Sequence, residues 1–266
     1  MLKILVCVKQ VPDVELVKMD PETGNLVREG VPTLTNPLDT NALEAAVQMK
    51  EKYGGTVTVI TMGPPTAADT LRECLACGAD SAVLISGRPF GGADTLSTSY
   101  AVAKAAETLG KFDLIFCGKE SLDGATGQMA SQLAERFDAS QVTGCLLLEN
   151  YDESKNTVTA QRELETGVET VEASLPCLVT VEKLNYHARI PNLRGKLAAK
   201  KAAITTLTEK DIEGLDMQKI GAPGSGTIVP HIYPPELPEP GMVIDEGSLE
   251  KNVAKLVELL AAKGAI

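Results

Sequence analysis

Gly118-Lys-Glu-Ser-Leu-Asp-Gly-Ala-Thr-Gly-Gln-Met-Ala-Ser-Gln132 is the stretch on which the fold turns. Ahead of it runs Phe112-Asp-Leu-Ile-Phe-Cys117, an apolar segment of strand length. Behind it, Met129, Ala130, Leu133, Ala134 and Phe137 are spaced as one face of a helix. Strand, Gly-rich turn and helix form the setting in which free backbone N–H groups hold a phosphate-sized anion at a helix start. Gly124 and Gly127 let the backbone approach a ligand closely, and Thr126 either caps the helix or meets a phosphate oxygen. Asp123 is too acidic to face a phosphate, so it is expected to bond loop amides or a ribose hydroxyl. The pattern is neither a Walker loop nor G-x-G-x-x-G, and an ordinary strand-to-helix turn would read the same way.

Outward from this unit, the first half alternates strand and helix. Lys3-Ile-Leu-Val-Cys-Val8 is a buried-strand candidate, broken by Pro12. Asp20-Pro-Glu-Thr-Gly24 predicts a hairpin turn in a surface excursion. Asn36-Pro-Leu-Asp39 leads a helix with Asp39 as its expected cap and Leu43, Ala46, Val47 and Met49 facing inward. Asn36 is either a turn residue or a polar ligand contact. A strand over 55–61 ends in Met62-Gly-Pro-Pro65; a helix over about 66–77, a strand over 81–86 and a helix over about 94–109 follow. The alternation predicts an α/β, Rossmann-like, mainly parallel sheet flanked by helices, with strand ends at 7–12, 62–65 and 118–128 converging on one crevice.

From about 142 the rhythm changes to four strand-like runs split by polar turns, which predicts an antiparallel or mixed extension of the sheet. A surface loop over 184–195 then leads into a basic helix. It carries Ile190, Pro191 and Leu193, which on general grounds are expected to fold back onto the core. Residues 216–247 hold six prolines (223, 230, 234, 235, 238 and 240), the composition of an extended arm. Leu249, Val253, Leu256, Val257 and Leu260 then mark a helix with one apolar face that needs another surface to cover it. Residues 1–215 are expected to form the α/β domain, and 216–266 an arm and terminal helix docking on a partner.

Composition narrows the function classes. A net charge of −11 argues against nucleic acid or an anionic membrane as the main partner, and 3% aromatics with no Trp argues against a base-stacking platform. No apolar run approaches the roughly 20 residues of a membrane span, and Met1 runs straight into a strand, so a cytoplasmic location without membrane insertion is expected. Cys74 and Cys77 form the one C-x-x-C, read as helix packing ahead of Gly78, with a thiol redox pair as the competing reading. His187 and His231 lie far apart, and no metal site is expected.

Val6-Cys-Val-Lys-Gln-Val-Pro12, Thr35-Asn-Pro-Leu-Asp39, Asp123-Gly-Ala-Thr-Gly-Gln128, Arg162-Glu-Leu-Glu-Thr-Gly-Val-Glu-Thr-Val-Glu-Ala-Ser-Leu-Pro176 and the 184–201 stretch together resemble the beta (small) subunit of electron-transfer flavoproteins along essentially the whole chain. Thr166 departs from the signature, where Gly or an acidic residue would stand. The resemblance implies a heterodimer with an FAD-carrying alpha subunit, serving an acyl-CoA dehydrogenase. It implies an adenine nucleotide held by Cys7, Asn36, Asp39, Met62, Asp123, Gly124, Ala125, Thr126, Gly127, Gln128 and Met129. That ligand is AMP in ordinary members and a bifurcating FAD in a subset. The compact 123–128 loop, together with the Lys9-Gln-Val-Pro-Asp13 opening, looks more like the bifurcating group, which implies NADH as electron donor and ferredoxin as a further acceptor. No residue of this chain is assigned a catalytic role, since the redox chemistry is the cofactor's own. Ile190, with Pro191 and Leu193, becomes a dehydrogenase contact under this resemblance. The alternatives are a non-bifurcating subunit holding structural AMP, and a non-redox adenine-nucleotide-binding regulatory module.

Overall fold

The computed structural model describes residues 1–13, 18–19, 26–27, 30–182, 185–230 and 241–266. The expected turn at 20–24, Leu184, His231 and the prolines at 234, 235, 238 and 240 lie outside the described residues.

The strands are β1 (Leu2–Cys7), β2 (Gln10–Pro12), β3 (Lys18–Met19), β4 (Leu26–Val27), β5 (Thr33–Thr35), β6 (Gly55–Met62), β7 (Ser81–Ile85), β8 (Leu114–Gly118), β9 (Ser140–Asp152), β10 (Thr157–Leu164), β11 (Gly167–Ser174), β12 (Cys177–Val181) and β13 (Thr205–Leu207). The helices are α1 (Pro37–Tyr53), α2 (Ala68–Ala76), α3 (Thr95–Glu107), α4 (Met129–Arg136), α5 (Leu193–Lys201) and α6 (Leu249–Ala262). Nine strands build one sheet in the order β11-β10-β9-β12-β8-β1-β6-β7-β13, while β2 pairs with β5 and β3 with β4. From β9 to β13 across the sheet the pairings are parallel; β10 runs antiparallel to both β9 and β11. The architecture is the expected α/β sheet with an antiparallel extension.

The central parallel strands β1, β8 and β12 are largely apolar on both faces because helices cover both. Side chains alternate across a strand, so Ile4 and Val6 of β1 pack with α1 and α2, while Leu5 packs on the other side with α3 and α4. In β8, Leu114 and Phe116 join the first core, and Ile115 and Cys117 the second. The chain passes outward from β1 to β6 and β7, then returns to place β8 on the other side of β1. That reversal opens a crevice at the carboxyl ends of β1 and β8, where open α/β sheets bind ligands.

One expected cap moves. Asn36, not Asp39, stands at the N-cap of α1, because Pro37 is pre-set for a first helical position and starts the helix early. Asp39 therefore lies inside the first turn with its carboxylate free to turn toward the strands. The start of the C-terminal segment is seated. Ile220 is buried in the second core, and the Asp94 carboxylate, which caps α3 by accepting from Ser97 N, also accepts from Gly226 N at 2.8 Å and Thr227 N at 2.9 Å. Among the described residues, no helix is long and apolar enough to cross a membrane.

Candidate functional site

β1 ends at Cys7 and continues through Val8 to Lys9; β6 ends at Met62 and β8 at Gly118. The start of α1 ties two of these ends together. Asp39 accepts the backbone N–H of Lys9 on one oxygen at 2.8 Å and that of Gly118 on the other at 3.2 Å. Asn36, 0% exposed, donates its amide to the Glu120 carbonyl at 2.9 Å and accepts from the Leu122 N–H at 3.2 Å. A single helix start thus holds the ends of β1 and β8 and the first turn of the loop beyond. This arrangement explains the glycine at 118: a Cβ there would collide with Asp39 Oδ1 and the α1 backbone.

Burial pushes the Asp39 carboxyl up to about 7, against the lowering pull of its bonds with Asn36, Lys9 and Gly118. Cys7 and Cys117 are register partners, and the hydrogen bond with Cys7, together with burial, pushes the Cys117 thiol well up. Burial also pushes Asp123 up, but hydrogen bonds from Lys9 and Ser121 outweigh it and hold the carboxyl below its ordinary value. Lys9 Nζ lies 2.7 and 2.9 Å from the two Asp123 oxygens and 3.3 Å from Ser121 Oγ. On the β6 side, Gln10 and Thr66 exchange two hydrogen bonds, of 2.9 and 3.0 Å.

The loop over 122–128 is exposed, with Ala125 at φ +44° and Gly127 at φ +61°. An alanine in the left-handed region stores strain of about 1–3 kcal/mol, of the sort found at ligand-binding loops. Thr126 does not cap α4. Gln128 takes the N-cap position, its side chain drawn away by the Thr95 hydroxyl at 2.9 Å, and no side chain caps the helix. The first-turn N–H groups of α4 are therefore available to an anion.

The structure places the sequence-predicted residues at the carboxyl ends of β1 and β6, at the start of α1 and on the loop between β8 and α4, in three tiers. Asn36 and Asp39 are buried with their polar atoms engaged by backbone; Cys7, Met62 and Met129 are half-buried; residues 123–128 form the exposed rim. Sequence reasoning read Lys9, Gln10 and Ser121 only as parts of motifs, gave them no role at the site, and passed over Thr66. The available signal was that Lys9 lies two residues beyond a parallel strand's carboxyl end.

A second feature is the 185–192 loop. Ile190 is 90% and Leu193 74% exposed, with Pro191 half-buried, so the expected folding back onto the core does not occur. The cause is Arg189. Its guanidinium meets Glu44 at 2.8 and 3.0 Å and Glu51 at 2.6 and 3.1 Å, and its carbonyl accepts from Cys77 Sγ at 3.5 Å. Pinned on α1, the loop turns the neighbouring Ile190 outward. Burial raises the Cys77 thiol and pushes that of Cys74 well up, away from thiolate chemistry.

Residues 23–212 match the family described as the electron transfer flavoprotein domain. The chain belongs to this family. Among relatives of the flavoprotein family, the caffeyl-CoA reductase-Etf complex subunit CarD of Acetobacterium woodii is 41% identical over 100% of both chains. The electron transfer flavoprotein subunit beta of Thermoanaerobacterium thermosaccharolyticum is likewise 41% identical over 100% of both. Protein FixA of Azorhizobium caulinodans is 40% identical over 88% of this chain and 85% of its own. Set in this family, the crevice belongs to a flavoprotein-associated electron-transfer protein.

Proposed function

We propose that this chain is the beta subunit of a heterodimeric electron-transfer flavoprotein. It carries electrons between NADH and/or ferredoxin and an acyl-CoA dehydrogenase, by flavin-based bifurcation at an FAD held in the crevice. The observation that carries the reading is the end-to-end likeness to a subunit whose name places it in a complex with a CoA-thioester reductase. A dehydrogenase acting on an acyl-CoA is the same class of partner.

The residues present fit a dinucleotide. The uncapped start of α4 and the exposed 124–127 backbone suit a phosphate, half-buried Cys7 and Met62 offer less polar surface, and Lys9 supplies a cation. When bound, FAD would supply both two-electron exchange with a nicotinamide and one-electron delivery. The chain's own work is positioning. Asp39 and Asn36 fix the strand ends and the loop, and Ile190, on a loop that Arg189 holds in place, gives the dehydrogenase an apolar anchor with Leu193 at the start of α5. The apolar face of α6 suits the alpha subunit.

The test is cofactor content after co-expression with the alpha subunit. Two FAD and no AMP per heterodimer supports bifurcation, with NADH-dependent ferredoxin reduction as the following assay. One FAD with one AMP makes the protein a simple electron shuttle. No flavin after reconstitution with FAD removes the reading.

A further inference from the structure

Lys9 and Asp123 reach toward each other across the crevice from two anchored supports. The Lys9 backbone is held by Asp39, and the loop that carries Asp123 is held at 120 and 122 by Asn36. Both anchors come from buried side chains of the same helix start. The ion pair is different in kind, since the Lys9 side chain is 46% and the Asp123 side chain 28% exposed. Partly solvated pairs contribute little to stability. A fixed frame therefore carries a cation and an anion that can change partners at small cost.

We infer that Lys9 is the phosphate-binding cation of the crevice and that Asp123 is its counter-ion until a nucleotide arrives. The assignment rests on the nucleotide reading of the crevice. In a chain of net charge −11, an incoming phosphate meets a repulsive field. Lys9 stands beside the loop whose uncapped helix start already suits an anion, and it is a cation that reduces this repulsion. Binding is then an exchange. The ammonium leaves the Asp123 carboxylate for a phosphate oxygen, and the freed carboxylate becomes an acceptor for a ribose hydroxyl. No bond is made or broken beyond hydrogen bonds. Asp123 thus competes with the ligand for Lys9, and this separates the inference from a structural ion pair. Loss of the lysine and loss of the aspartate must act on phosphate binding with opposite signs.

The experiment uses the full chain paired with its alpha subunit, stripped of crevice nucleotide, and titrates AMP, FAD and neutral adenosine by calorimetry. Lys9→Gln is expected to weaken AMP and FAD about tenfold, the scale of one hydrogen bond to a charged group that is partly solvated. Adenosine should change less than about twofold, and the salt dependence of AMP binding should flatten. Asp123→Asn is expected to tighten AMP several-fold while leaving adenosine unchanged or weaker. Lys9→Arg should keep AMP binding, which tests the assignment even if the Gln variant folds poorly. If both Lys9→Gln and Asp123→Asn weaken AMP, or if Lys9→Gln weakens adenosine as much as AMP, the inference is wrong. A wild-type protein that binds neither AMP nor FAD removes the nucleotide reading and this inference with it. Normal AMP binding that is indifferent to Lys9→Gln removes the inference alone.

Discussion

Asp39 is 7% exposed, with a backbone N–H on each carboxyl oxygen. The sequence marked it as a helix cap and, through resemblance, as a ligand contact. Neither reading anticipates a side chain bridging Lys9 and Gly118, because the partners come from strands whose adjacency is decided by sheet order. Its titration gives a testable sign. The folded value is raised from 3.8 to about 7, so between those values the folded chain binds more protons than the unfolded one. The contribution of Asp39 to stability is full below pH 3.8 and is lost as pH rises through about 7. In Asp39→Asn, the decline between those values should flatten, so the difference between wild type and variant narrows with rising pH and levels off above about 7. Urea unfolding at half-unit pH steps checks this, and parallel curves would show that Asp39 does not titrate in that window. At one fixed pH, the variant places an amide donor against a backbone donor, a loss of about 1–3 kcal/mol. Gly118→Ala belongs to the same frame. Its methyl group would press on Asp39 and on the α1 backbone, so a loss of about 1–3 kcal/mol is expected from thermal or urea melts.

Among the elements, the central parallel strands were legible because a strand covered on both faces must be apolar throughout, as Ile4, Leu5 and Val6 are; the edge strand β13, with Thr205 and Thr206 exposed, was not. What escaped was any feature set by contacts distant in sequence. Lys9 and Asp123 are 114 residues apart, Asp94 and Gly226 are 132, and Arg189 and Glu44 are 145. No local periodicity carries such pairs. The last of them decides how the 185–192 loop is presented. Burial raises the Glu44 carboxyl, but hydrogen bonds from Arg189 and Gln48 outweigh it and hold it below 4.5. Its contribution to stability is therefore present above pH 4.5 and is lost as pH falls through the lower folded value. Arg189→Ala leaves Glu44 shielded and without its guanidinium partner, at a cost of about 2 kcal/mol once partial exposure is allowed for. The variant should also lose part of the acid-limb dependence of stability. Under the proposed function, electron transfer to an acyl-CoA dehydrogenase should weaken through KM with kcat preserved, because the loop loses its presentation and the crevice is untouched. A change confined to kcat would place Arg189 elsewhere in the mechanism.

At the scale of the whole molecule, two kinds of surface stand side by side. The sheet and its flanking helices enclose two cores, whereas α6 carries Leu249, Val253, Leu256 and Val257 at 46–79% exposure on one face. A helix that leaves such a face in water pays for it unless another surface covers it. That much was readable from the i, i+4, i+7, i+8 spacing alone, because amphipathic periodicity is local. The seating of 220–227 on α3 was not, because it depends on Asp94 and on the second core. The contrast gives α6 a distinct signature under mutation. Leu256→Asp should leave the urea midpoint of the isolated chain nearly unchanged, within about 0.5 kcal/mol, since the side chain is half in solvent and touches neither core. Pairing with the alpha subunit should suffer far more. Burying one leucine contributes about 1.5–3 kcal/mol, and an unpaired carboxylate in the same place adds a desolvation cost. Affinity for the alpha subunit is then expected to fall at least a hundredfold, measured by titrating labelled chain with purified alpha subunit. An unchanged midpoint with unchanged pairing would mean that the face of α6 meets a different surface. A lowered midpoint in the isolated chain would mean that α6 already packs on this chain's own fold.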